Sequence, residues 1–116
     1  MDQLFLLGTG FQDASRQPTT RMYFCPHCAV IEGFLGYYPA LREKLQITYV
    51  DFLRPRPQII ILLGEENQSC PVLVLGEGDV PREIASVKIF GKHRFINDAD
   101  EITAYLAATW GVAFPH

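Results

Sequence analysis

The apolar positions of this chain fall into blocks whose spacing changes from one stretch to the next. Residues 3–7 hold the unbroken run Leu4-Phe5-Leu6-Leu7, the pattern of a strand covered on both faces. Residues 8–22 are rich in Gly, Pro, Ser, Thr and Asp and read as a long loop. A helix is predicted from Pro26, a residue suited to the first helical position because its missing N–H has no partner there anyway. Cys28, Ile31, Leu35 and Tyr38 then recur at helical spacing, with Phe34 widening the stripe. Pro39 breaks or kinks that helix, and Ala40–Leu45 continue for a turn or two. Ile47–Phe52 alternates and is rich in β-formers, which predicts a second strand. Gln58–Leu63 fits strand or helix on pattern alone; the prolines before it and Gly64 after it favour a short helix. Val72–Leu75 is a buried strand. Val87–Phe90 and Arg94–Ile96 flank Gly91-Lys92-His93 and predict a small hairpin. The last helix is the best marked: Asp98 and Glu101 form a capping-box pair, Ile102, Tyr105, Leu106 and Thr109 follow at helical spacing, and Gly111 ends it.

The predicted order is therefore β-α-β-α-β-β-α in a single domain over residues 1–116. The first three elements form a right-handed parallel crossover, and the later strands add antiparallel to the same sheet under the last helix. The composition, 48% apolar and 20% charged, is that of an ordinary globular domain. A net charge of −3 with no basic face argues against nucleic acid as a partner. The one compact basic spot, Arg54-Pro55-Arg56-Pro57, reads as a solvated loop. Met1–Gly8 carries an acid where a signal peptide needs bases, and no apolar stretch reaches membrane-spanning length. The expectation is a soluble cytoplasmic protein that contacts no membrane.

Three cysteines are an odd number, and two of them form Cys25-Pro26-His27-Cys28. In a reducing compartment such a pair is catalytic or metal-binding more often than structural. An exposed helix N-terminus favours a thiolate through its unpaired N–H groups and its dipole. Cys25 stands at that position and is the candidate attacking thiol; Cys28, most of a turn further in, is the candidate resolving thiol. His27 lies between them, and its imidazole would make the pair more oxidising.

Zinc is a competing reading, since Cys25, His27 and Cys28 are all ligand types and Cys70, His93 or His116 could complete four. A second close ligand pair is missing, however, and adjacent His27 and Cys28 converge poorly on one ion from a helix, so no metal is expected. Asp13, in the long loop, could act as a base but reads better as a solvated acid.

The order of elements, with Phe24-Cys25-Pro26-His27-Cys28 opening the first helix and Pro71 just before a buried strand, resembles the thioredoxin superfamily. The motif is similar to that of the periplasmic disulfide oxidases and close to that of the glutaredoxins. Asp98-Ala99-Asp100-Glu101-Ile102-Thr103-Ala104-Tyr105-Leu106 resembles the closing segment of the glutathione-transferase N-terminal domain, which reads acid-Ser-x-x-Ile-x-x-Tyr-Leu. The whole chain is also similar to a bacterial family of thioredoxin-like proteins of unknown function, through the motif with Ala29 and through Leu63–Ser69. The sequence departs from these patterns in four places: the loop before the motif is longer, no Trp precedes the motif, Ala99 replaces the transferase serine, and Cys70 precedes the proline.

The resemblance implies a thioredoxin-like α/β fold with a four-stranded mixed sheet in the order 4-3-1-2 and helices on both faces. It implies a cis-proline at Pro71, with the backbone of Cys70 offered to a bound peptide or to glutathione. It implies a substrate surface made by Pro26, Cys70, Pro71 and Asp98, the Asp98 carboxylate meeting the ammonium of glutathione. Cys70 then lies near Cys25, where it is either a third redox thiol or, as favoured, an inert one. The expected function is a thiol-disulfide oxidoreductase or glutathione-linked redox protein acting on a protein or small-molecule disulfide, with no resident cofactor and glutathione as co-substrate. The alternative is a non-catalytic thioredoxin-like binding domain.

Overall fold

The computed structural model describes residues 1–82 and 84–116. Its main sheet is built around β1 (Asp2–Leu7), which runs parallel to β4 (Leu45–Val50) on one side and antiparallel to β5 (Val72–Val74) on the other. Leu4, Phe5, Leu6 and Leu7 are all buried, as are Val72, Leu73 and Val74, so both faces of the sheet's centre are covered. That is why these strands show no alternation in the sequence.

The sheet has five strands in the order β4-β1-β5-β7-β6, where four in the order 4-3-1-2 are expected. The difference lies in the late hairpin, β6 (Lys88–Phe90) and β7 (His93–Ile96). Both of its arms join the sheet, which makes the fifth strand; the second arm pairs with β5, because Phe95 and Ile96 are the buried residues and must reach the core, while β6 keeps its three residues exposed at the sheet edge. The turn is Gly91-Lys92, with Phe90 paired to His93 and Gly91 at φ 58°, a conformation that suits glycine. Phe90 also closes over Gly64: a Cβ there would lie 2.7 Å from its ring.

Helix α1 (Pro26–Tyr37) buries Cys28, Ile31 and Leu35. It ends at Tyr38, whose N–H donates to the Phe34 carbonyl, and Pro39 opens a 3-10 segment over Pro39–Lys44. Helix α2 (Pro57–Leu63) follows a bend and places Ile59 and Leu63 fully inside. Helix α3 (Ala99–Trp110) packs beside α1 and contributes Ile102, Tyr105 and Leu106 to the core. Aliphatic side chains such as Ile102 and Leu106 each contribute about 1.5–3 kcal/mol relative to exposure.

Asp98 caps α3 through Asp100 N–H at 3.0 Å, and Gly111 ends the helix in the left-handed conformation. The expected capping box with Glu101 does not form as such: the Asp98 carboxylate accepts from Asp100 N–H instead of Glu101 N–H, and the buried Oε2 of Glu101 has no hydrogen-bond partner among the described residues. No helix among the described residues is long and apolar enough to cross a membrane.

The segment read as a loop over residues 8–22 contains a second, two-stranded sheet. β2 (Phe11–Gln12) pairs antiparallel with β3 (Met22–Tyr23), Phe11 opposite Tyr23. Asp13 organises the connection, accepting from both the N–H and the hydroxyl of Ser15 and pairing with Arg16 at 3.6 Å. The strands are two residues long, too short for any periodicity to show.

Arg56 corrects a second expectation: it is buried rather than solvated. Its guanidinium donates to the carbonyls of Asp51, Phe52 and Gln68, and its backbone N–H donates to the Gln68 side chain at 2.7 Å. One planar fork thus ties the bend after β4 to the segment that leads into Cys70-Pro71. Arg54, two residues away, is exposed.

Candidate functional site

The start of α1 is where the sequence's chemistry gathers. Cys25 is the helix cap: its backbone is extended, and its sulfur accepts from Cys28 N–H at 3.2 Å. Capping by sulfur satisfies one of the orphan donors that every helix start leaves. Cys25 is half-buried and Cys28 is buried, and all three cysteines are free thiols. The Cys28 sulfur accepts from Leu7 N–H at 3.5 Å, which ties the motif to the end of β1. Burial pushes the Cys28 thiol from the ordinary 9.0 up to about 12, and the neighbouring Cys25 adds to the effect.

Cys70 comes in from the other side. Its carbonyl oxygen lies 4.0 Å from the Cys25 sulfur, and the Cys70–Pro71 peptide bond is cis. Burial pushes the Cys70 thiol up to about 11, against the opposing pull of the Arg56 guanidinium. Cys70 is half-buried.

His27, Cys70, Pro71 and Asp98 line one groove of about 420 Å³, together with Ser69 and Asn97. Four of the seven expected site residues therefore share one surface between the starts of α1 and α3. Cys25, Pro26 and Cys28 do not line this groove; Cys25 and Pro26 line one other cleft, and Cys25 and Cys28 another pocket. His27 is exposed, and among the described residues no hydrogen bond joins it to Cys25. Ala99 also lines the groove.

A second cleft, of about 440 Å³, borders Cys25 and Pro26 and was not foreseen in the sequence. Phe11 from the small sheet and Phe52 from the bend after β4 stack there, with ring centroids 4.4 Å apart and planes 5° from parallel. Met22, Tyr23 and Phe24 complete its wall. The available signal was the large apolar residues Phe11, Met22 and Tyr23 near the two ends of a turn-rich run. Asp13 lies at the rim, its carboxyl held below the usual carboxylate range by hydrogen bonds from Ser15, which makes it a poor base. A smaller pocket of about 210 Å³ borders both Cys25 and Cys28 and holds Glu32, which pairs with Arg42 at 3.3 Å and accepts from Tyr49.

Among the described residues no cluster of three or more His, Cys, Asp or Glu side chains is placed to hold a metal ion. His93 begins β7 and His116 lies in the exposed C-terminal tail, both outside the groove that holds His27.

An α/β protein with a mixed five-stranded sheet and a free Cys-x-x-Cys pair at a helix start is the class these observations define. The chain matches, over residues 1–114, the family described as Protein of unknown function (DUF3088), and it belongs to that family. No curated protein and no solved structure matches it.

Proposed function

We propose that this protein is a thiol-disulfide oxidoreductase of thioredoxin-like fold, working in the reducing cytosol with glutathione as its reductant. The observation that carries the reading is the division of character within the pair. Cys25 is reachable at the head of α1, whereas Cys28, one turn inward, is buried and held protonated up to about pH 12. The fold reading is supported by the parallel β1–β4 pair, the antiparallel β5 and β7, and the closeness of the Cys70 carbonyl to Cys25.

In the proposed reaction the Cys25 thiolate attacks one sulfur of a substrate disulfide. A bond forms between Cys25 and that sulfur, and the other half leaves as a thiolate. Cys28 then passes its proton to the thiolate released in the first step and attacks the Cys25 sulfur; the Cys25–substrate bond breaks, and the second half departs as a thiolate. The protein leaves the cycle oxidised and the substrate reduced, and two molecules of glutathione restore the dithiol while becoming glutathione disulfide. The polar groove of His27, Cys70, Pro71 and Asp98 offers backbone and a carboxylate to glutathione, and the absent hydroxyl at Ala99 makes that binding weak.

The test is reduction of bis(2-hydroxyethyl) disulfide with glutathione as reductant. Turnover that Cys25→Ser abolishes supports the proposal. Equal rates for wild type and Cys25→Ser would overturn it in favour of a binding domain without turnover.

A further inference from the structure

The Cys25 sulfur lies between two surface features. On one side, 4.0 Å from the sulfur, is the Cys70 carbonyl, whose residue lines the groove that also holds the Asp98 carboxylate. On the other is the cleft walled by Phe11, Phe52, Tyr23, Met22 and Phe24. The second is unusual for a surface feature. Phe24 is 64% exposed and Met22 59%, although both stand within three residues of the motif's first cysteine. Large apolar side chains exposed together beside a reachable thiol mark a binding surface more often than a solvated one. The volume, about 440 Å³, lies within the range of small-molecule sites, and the lining is the apolar and aromatic kind such sites use.

The small β2–β3 sheet contributes Phe11, Met22 and Tyr23 to this cleft. It brings Phe11 from before the motif against Phe52 from after β4, two rings that nothing in the main sheet requires to meet. Asp13 and Arg16 satisfy each other at the rim, and the Arg16 guanidinium also lies 5.8 Å from the Tyr23 ring. No unpaired charge therefore faces the interior from that pair.

We infer that the substrate is a small, asymmetric disulfide whose apolar or aromatic half, bonded directly to the reacting sulfur, occupies the Phe11–Phe52 cleft. The inference rests on the reading of Cys25 as the reacting thiol. A protein cysteine is a poor occupant, because its polar peptide groups begin only two carbons from the sulfur and would be pressed against the rings without hydrogen-bond partners. That kind of half fits the groove of His27, Cys70 and Asp98 instead. In the reaction, the Cys25 thiolate forms a bond to the sulfur that carries the apolar group. The substrate's S–S bond breaks, and the polar half departs with the electron pair as a thiolate.

The test uses thiosulfonates, which modify any reachable thiol whether or not the protein turns over a disulfide. In each case Cys25 gains the sulfur of the reagent and methanesulfinate leaves. The Cys28→Ala protein is used so that the adduct on Cys25 persists for mass-spectrometric mapping. Three methanethiosulfonates are compared, built on benzyl thiol, on 2-hydroxyethyl thiol and on N-acetylcysteine amide, with rates divided by those of 2-mercaptoethanol in the same buffer. The expected result is a preference for the benzyl reagent of about tenfold or more, the size of effect that burying several apolar carbons gives. The preference falls towards unity in Phe52→Ala and in Met22→Ser, the latter an exposed position whose change leaves the core intact. Equal normalised rates would overturn the inference, as would a preference that survives both substitutions or a faster reaction with the cysteine-amide reagent. Benzyl selectivity without glutathione-dependent turnover would leave the cleft standing and remove the redox reading.

Discussion

The sulfur of Cys25 accepts a hydrogen bond from the backbone N–H of Cys28 at 3.2 Å, so the outer thiol of the motif is also the cap of the helix it starts. One side chain serves the fold and the proposed chemistry, and the two roles separate under substitution. Cys25→Ser removes the thiol but supplies a preferred cap, so its urea midpoint should equal or exceed that of the wild type. Cys25→Ala removes both and should unfold about 1 kcal/mol more easily than Cys25→Ser. Disulfide reduction should be absent in both variants.

The thiols of Cys28 and Cys70 are pushed up to about 12 and about 11, chiefly by burial. Alkylation with iodoacetamide at about pH 8 should therefore label Cys25 first. Labelling of the other two should rise about tenfold per pH unit as their thiolate fractions grow, Cys70 levelling off before Cys28. The same shifts act on stability. The unfolded chain loses these protons near the ordinary value of 9.0 while the folded chain keeps them, so their contribution is complete below about pH 9 and is lost as pH rises through 11 to 12. Urea midpoints measured across that window should fall, and should fall less steeply in Cys28→Ala.

Arg56 is buried with three backbone carbonyls as the acceptors of its guanidinium. Arg56→Met should cost about 2–3 kcal/mol, since it leaves buried acceptors unpaired. Arg56→Lys should recover only part of this, because an ammonium cannot reproduce the planar fork. Both variants should loosen the segment before Pro71, seen as faster amide exchange at Gln68 and Cys70.

Asp98 caps α3 through Asp100 N–H and also faces the groove of His27 and Pro71. Asp98→Asn keeps the cap and removes the charge, so its stability should stay within about 0.5 kcal/mol of the wild type. Asp98→Ala should lose about 1 kcal/mol. Glutathione affinity, measured by calorimetric titration, should fall equally in the two variants. Unchanged affinity in Asp98→Asn would take Asp98 out of the glutathione site.

The sequence by itself determined the elements whose signals are local. Pro26, the spacing of Cys28, Ile31 and Leu35, and the stop at Pro39 define α1, because helix periodicity and proline geometry act over a few residues. The unbroken apolar runs of β1 and β5 announced the covered centre of the sheet for the same reason. Cys25 and Cys28 were legible as a pair because the chemistry of Cys-x-x-Cys depends on a helical turn. Tertiary structure alone decided what depends on distant partners. It made β7 rather than β6 the inner strand, since only one arm of the hairpin could bury Phe95 and Ile96 against β5. It buried Arg56, whose acceptors lie on segments up to 12 residues away and are backbone carbonyls that no side-chain pattern reports. It also set Phe11 on Phe52 beside Cys25, 41 positions apart in the chain, through two strands too short to leave a period in the sequence.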